Sequence, residues 1–235
     1  SILIGIGALL IYVDLYQVGY DFNLSSIHPA PYFATNQIIP FLKERQEEEG
    51  GRAILRREKS LMGPRNVGLL HRVRTFSGYV SPLRLKDNMP PAHSWQLMNV
   101  RYYNDFVTDK LRMINDIGYL KRYTEAMPHA FIVRNYVIAK NRDEVTVAMT
   151  SPTFDYRTMI TLTEEPYIDI SADSVRTDEM PEVIRYDPNE IDIKVTLQKP
   201  GILVLGEVYY PAWVAYVNGA RQDIMRANDT MRAVP

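Results

Sequence analysis

The chain contains no cysteine. That excludes a disulfide scaffold, a thiolate metal site and a cysteine nucleophile. Charge is missing from its beginning: no charged residue precedes Asp14, and no lysine or arginine precedes Lys43. Histidine is scarce. His28, His71, His93 and His129 share no helical spacing and form no H-E-x-x-H pattern, so a metal site would have to gather ligands from distant segments. A G-x-S-x-G nucleophile elbow, a P-loop, internal repeats and low-complexity tracts are all absent. Gly5-Ile-Gly7 opens like a dinucleotide loop, but its third glycine position is Leu10. Basic excess is lacking too. Lysine and arginine number 27 against 28 acidic residues, and the net charge of −1 gives no support for nucleic-acid binding.

What is present is material for a folded core. Of 235 residues, 46% are hydrophobic and 23% charged, which suits a globular chain of one large or two small domains. The uncharged run from Ser1 to Val13 is shorter than the roughly 20 apolar residues of a membrane span. It reads as the end of a transmembrane helix, with a soluble amphipathic helix, core helix or buried strand as the alternatives. Its flank carries Asp14 and Asp21 but no basic residue, which suits the outer rather than the cytoplasmic side. Tyr12, Tyr16 and Tyr20 fit an interfacial belt. Because Ser1 lies inside an apolar run and Met231–Pro235 reads as a strand barely begun, the expectation is an internal segment of a longer protein, with partner strands beyond Pro235.

The spacing predicts a helix over 41–49, stopped by Gly50-Gly51. Strands follow over 52–56 and 100–103, and Pro90-Pro91 opens a short helix over 93–98. The run Phe131–Ile138 reads as one strand. A helix over 143–150 is capped by Asn141 or Asp143. Strands are also expected over 157–162, 191–198 (alternating, half-buried) and 202–205 (fully buried). Asn218-Gly219 between two strand-like runs is a hairpin signal. The expected fold class is α+β: the end of a transmembrane helix over 1–20, a mixed α/β extracytoplasmic region over 21–165, and an antiparallel β-sandwich over 166–235, incomplete at its C-terminal end.

Carboxylates crowd the second half, at Glu164, Glu165, Asp169, Asp173, Asp178, Glu179, Asp187, Glu190 and Asp192. Most sit beside turn-forming residues and read as solvated, and no catalytic pair can be named among them. The aromatic cluster Tyr209, Tyr210, Trp213 and Tyr216 is the other candidate. One face of its strand is expected to be core, so packing is its first role. Stacking of Trp213, Tyr210 and Tyr216 on sugar rings is its second.

The order of residues in Tyr209-Tyr-Pro-Ala-Trp-Val-Ala-Tyr-Val-Asn-Gly219, Met225-Arg-Ala-Asn228 and Met231-Arg-Ala-Val-Pro235 resembles the carboxy-terminal extracytoplasmic segment of the YfhO-type bacterial membrane proteins. Gly78-Tyr79 with Pro82-Leu83, Leu97-Met-Asn-Val-Arg-Tyr102 and Met127-Pro-His-Ala-Phe131 agree in order with that family's short motifs. Ala212 stands where the family has glycine and His129 where it has arginine. An alanine at 212 is strained if the turn needs a positive φ. The resemblance implies a polytopic protein of the bacterial cytoplasmic membrane, of the GT-C glycosyltransferase type. It implies transfer of a sugar from a polyprenyl-phosphate carrier to a cell-envelope glycan or polymer. It places this region on the extracytoplasmic face and the catalytic carboxylate in another part of the protein, so no catalytic residue is carried over. No cofactor is expected in this segment. The membrane, through the first helix, and a glycan or polymer acceptor are the expected partners. The alternative is a non-catalytic carbohydrate-binding sandwich at the cell surface.

Overall fold

The computed structural model describes residues 2–19, 38–54, 68, 71–75, 89–104, 120–173 and 179–235. The chain forms two units, Ser1–Thr35 and Asn36–Pro235. In the first, α1 (Ile2–Gly19) is apolar as far as Val13. Twelve residues from Ile2 to Val13 rise about 18 Å, against a hydrocarbon thickness of roughly 30 Å. Among the described residues no helix is long and apolar enough to cross a membrane.

The second unit contains α2 (Ile38–Glu49), β1 (Arg52–Ile54), α3 (Ser94–Leu97), β2 (Val100–Asn104), β3 (Leu120–Arg122), β4 (Ala130–Val133) and β5 (Asn135–Ile138). These are followed by α4 (Arg142–Thr150), β6 (Met159–Leu162), β7 (Glu182–Asp187), β8 (Glu190–Lys194) and β9 (Ile202–Val208). The last four strands are β10 (Ala215–Val217), β11 (Ala220–Gln222), β12 (Met225–Ala227) and β13 (Met231–Val234).

The helix α2 ends as its sequence dictates. Gly50 and Gly51 adopt φ of 72° and 88°, the left-handed stop open to glycine. Its Ile38, Ile39 and Leu42 pack with Ala53, Tyr102 and Leu120 over the three-stranded sheet β1-β2-β3. At the N-terminus of α4 the N-cap Asn141 Oδ1 accepts from Glu144 N at 3.0 Å, and Glu144 Oε2 reaches back to accept from Lys140 N, one residue before the cap, at 2.8 Å. Val145 and Met149, one turn apart, face the main core.

The main sheet has six strands in the order β4-β9-β13-β12-β6-β5. Its neighbours pair antiparallel except β5 and β6, which α4 joins as a parallel crossover. The two edge strands, β4 and β5, are consecutive in the chain and separated only by Arg134. In a flat sheet five strand spacings would hold those edges about 24 Å apart, whereas one intervening residue allows about 7 Å. The sheet must therefore roll until its edges meet. Phe131, Val133, Ile160, Leu162, Ile202, Val204 and Met231 fill the core.

Arg134 stands at that junction and is 2% exposed. Its guanidinium makes two bonds to Glu179, Nη1 to Oε2 at 2.9 Å and Nη2 to Oε1 at 2.8 Å. Its Nε donates to Pro200 O at 2.9 Å and its Nη2 also to Lys199 O at 3.0 Å, while Glu179 Oε1 accepts from Gln198 N at 2.8 Å. Both charges are thus paired and hydrogen-bonded, as burial requires. Glu179, read from sequence among solvated loop carboxylates, is instead the buried partner of this pair.

Several expectations are corrected here. The run 131–138 is not one strand position but two, on opposite edges, because the chain turns at Arg134. The boundary at residue 165 does not separate two domains, since β4, β5 and β6 share one sheet and one core with β9, β12 and β13. The α+β class holds, but the described residues form a six-stranded rolled sheet, a three-stranded sheet and two outlying ribbons where a sandwich was expected. The strand at 231–234 lies between β9 and β12 and already has a neighbour on each side. The alternating run after Glu190 pairs with β7 as a separate, largely exposed ribbon.

Replacing Arg134 by Met should cost about 3–5 kcal/mol by leaving Glu179 buried and unpaired. Urea unfolding checks this, and adding Glu179→Leu should restore part of the loss.

Candidate functional site

Strand β9 is where the two sheets of the second unit communicate. Against β13, Val208 pairs with Met231 and Leu205 with Arg232, so Gly206 and Glu207 bulge out of register. A bulge re-aims side chains, and such irregularities concentrate near functional sites. Gly206 is required there: a Cβ would stand 2.9 Å from Leu97 O. The bulge turns Glu207 towards Arg52 of β1.

Arg52 Nη1 donates to Met98 O at 2.8 Å and Gly206 O at 2.6 Å, and its Nη2 donates to Glu207 Oε1. Tyr186 OH donates to the same carboxylate oxygen at 2.6 Å. His129 Nε2 lies 3.2 Å from it. The His129 and Tyr186 rings meet edge to face, with centroids 4.9 Å apart. Two further arginines complete the cluster. Arg74 is held by Gln46, whose Nε2 donates to Arg74 O and whose Oε1 accepts from Arg74 N, both at 2.7 Å. Its guanidinium lies 5.4 Å from the Tyr186 ring centre. Arg232 donates from Nε to Val208 O at 2.9 Å and stacks 4.1 Å from the Trp213 ring centre.

Burial alone would raise the Glu207 carboxyl, but the adjacent His129, the Arg52 guanidinium and the Tyr186 hydroxyl outweigh it and pull its pKa down to about 2. Burial lowers His129, with the Arg52 and Arg74 charges adding to the effect and Glu207 opposing it. Burial raises Tyr186. At neutral pH the site therefore holds a carboxylate, a neutral imidazole, a neutral phenol and three guanidinium groups. This is poor equipment for proton transfer at pH 7 and good equipment for holding charge.

The aromatic residues singled out from sequence are divided by the fold. Asn218 and Gly219, at φ of 51° and 82°, form the two-residue turn of the β10–β11 hairpin. Among the described residues that ribbon pairs with no other strand. Tyr210 and Tyr216 are 63% and 65% exposed. Only Trp213, half-buried and outside both cores, joins the charged cluster. Ala212 has no positive φ, so alanine in place of glycine brings no strain there. His28 lies outside the described residues, and among those described no group of three or more His, Asp or Glu side chains could hold a metal. Glu207, Arg52 and Arg74 were not found by sequence reasoning. The one available signal was Gly206-Glu207 interrupting an apolar strand, a mark of a bulge.

Compared with family models, curated proteins and solved structures, the chain matches none.

Because the Glu207 pKa is depressed in the folded state, its stabilisation is complete above the ordinary carboxylate value of 4.5 and is lost as pH falls towards 2. Over that window the wild type should lose on the order of 3 kcal/mol more than Glu207→Gln, as read by urea unfolding at successive pH values.

Proposed function

We propose that the chain is the extracytoplasmic region of a polytopic bacterial membrane protein, similar to GT-C glycosyltransferases that move a sugar from a polyprenyl-phosphate carrier to an envelope glycan or polymer. In this reading α1 is the outer end of a membrane helix, and the second unit shapes the acceptor side of an active site formed elsewhere in the protein.

The surface of α1 carries this proposal. Leu9, Leu10, Ile11, Tyr12 and Val13 are consecutive and all exposed. Successive helical residues are 100° apart, so five of them reach every side of the helix. A helix that is apolar all round belongs in a core or a membrane, not in water. Tyr12 and Tyr16, one turn apart with ring centroids at 6.1 Å, lie where the first charge, Asp14, appears, as an interfacial belt would. The absence of lysine and arginine before Lys43 suits an outer flank.

Because the chain has no cysteine, a single Ala220→Cys on exposed β11 is a clean reporter. In the full-length protein it should react with a membrane-impermeant maleimide in intact cells, above the level of the unsubstituted protein. Labelling that appears only after permeabilisation would overturn the placement.

The exposed rings of Tyr210 and Tyr216 favour a second reading, a non-catalytic glycan-binding surface. It predicts that Tyr216→Ala abolishes retention on immobilised envelope polysaccharide while the urea midpoint stays unchanged. Retention equal to wild type would exclude it.

A further inference from the structure

We propose that Trp95, Tyr103 and Tyr123 form an aromatic cage that holds a quaternary ammonium group. The three-stranded sheet builds it. Tyr103 of β2 pairs with Lys121 of β3, so their side chains share one face. Tyr123, two residues further on, joins that face, and its N donates to Arg101 O at 2.7 Å. The alternate positions, Tyr102 and Leu120, point the other way and pack with α2. Trp95 comes from α3. Its ring centroid stands 5.2 Å from that of Tyr103 and 5.9 Å from that of Tyr123, and the two tyrosine centroids are 6.4 Å apart. One cation can therefore lie within about 6 Å of all three centres, the range over which a ring attracts it. All three rings are half-buried, and none belongs to either hydrophobic core.

Shape and charge select the occupant. The ring planes are tilted by 53°, 80° and 80° to one another, so they wall a rounded group rather than offer a flat platform to a sugar. Lys121 Nζ stands 5.8 Å from the Tyr103 centre, so a cation of the chain itself already approaches this face, at the outer limit of the attractive range. Tyr123 OH stands 3.4 Å from Glu125 Oε2, and among the described residues no base pairs with this exposed carboxylate. It supplies the negative charge beside the rings. A primary ammonium brings three donors that each need an acceptor. A quaternary ammonium brings none, which suits a site of three rings and one carboxylate. The group can come as free choline or as a phosphocholine headgroup. The site does not depend on where in the cell the chain resides.

The chain has two tryptophans, so in Trp213→Phe, which keeps a ring beside Arg232, the emission of Trp95 reports alone. The full chain with that change is titrated with choline and, separately, with glycerophosphocholine, at constant ionic strength. At least one should shift the emission saturably, with a Kd of about 1 mM or tighter. Tighter binding of choline assigns the free source, and tighter binding of glycerophosphocholine assigns the headgroup source. Dimethylbutanol, in which carbon replaces the choline nitrogen, should bind about fivefold more weakly or worse. Glu125→Gln should weaken binding about threefold or more, and Glu182→Gln on the exposed β7 should leave it unchanged. Tyr123→Leu should weaken it about tenfold. If Tyr123→Leu loses its near-ultraviolet circular dichroism, Glu125→Gln still decides. No saturable shift with either ligand, dimethylbutanol bound as tightly as choline, or equal binding with and without Glu125→Gln, overturns the proposal.

Discussion

The fold turns on one residue, Arg134, and on the demand that its charge be satisfied where it is buried. It lies between two strands that are neighbours in sequence and opposite edges of the main sheet. The sheet can be built only if it rolls to bring those edges together, and the roll drives the guanidinium out of water. Glu179 and the carbonyls of Lys199 and Pro200 meet it there. The two carbonyls belong to the approach to β9, so the arginine at the junction also helps to position the strand that carries the bulge.

The bulge then does for the second unit what the junction does for the sheet. Gly206 allows β9 to approach the turn after α3, and Glu207 swings out to receive Arg52. One carboxylate thereby ties the small helix-covered sheet to the rolled one.

Much local structure was legible in the sequence because it depends on short-range rules. Gly50-Gly51 stops α2 since glycine alone accepts a left-handed φ freely, and Asn218-Gly219 turns the hairpin for the same reason. Asn141 caps α4 through a bond to a residue three positions away. The buried strand at 202–205 showed itself by composition. Of the site, only Trp213 and His129 were noticed, and neither for its charge partner. Arg52, Arg74, Glu207 and Arg232 come from four distant segments, and no pattern in the chain joins them.

The sequence by itself determined the class of elements, their caps and turns, and the apolar character of the first helix, since these follow from spacing and side-chain chemistry within a few residues. Only the tertiary structure decided that Phe131–Ile138 is split between two sheet edges, that residues on both sides of 165 share one core, and that Glu179 is buried while Tyr216 is not. Those outcomes depend on which strands pair across more than sixty residues of chain, as Phe131 with Val204 and Ala227 with Leu162 do. Pairing of that kind is chosen by the packing and charge balance of the whole unit, which no local stretch encodes.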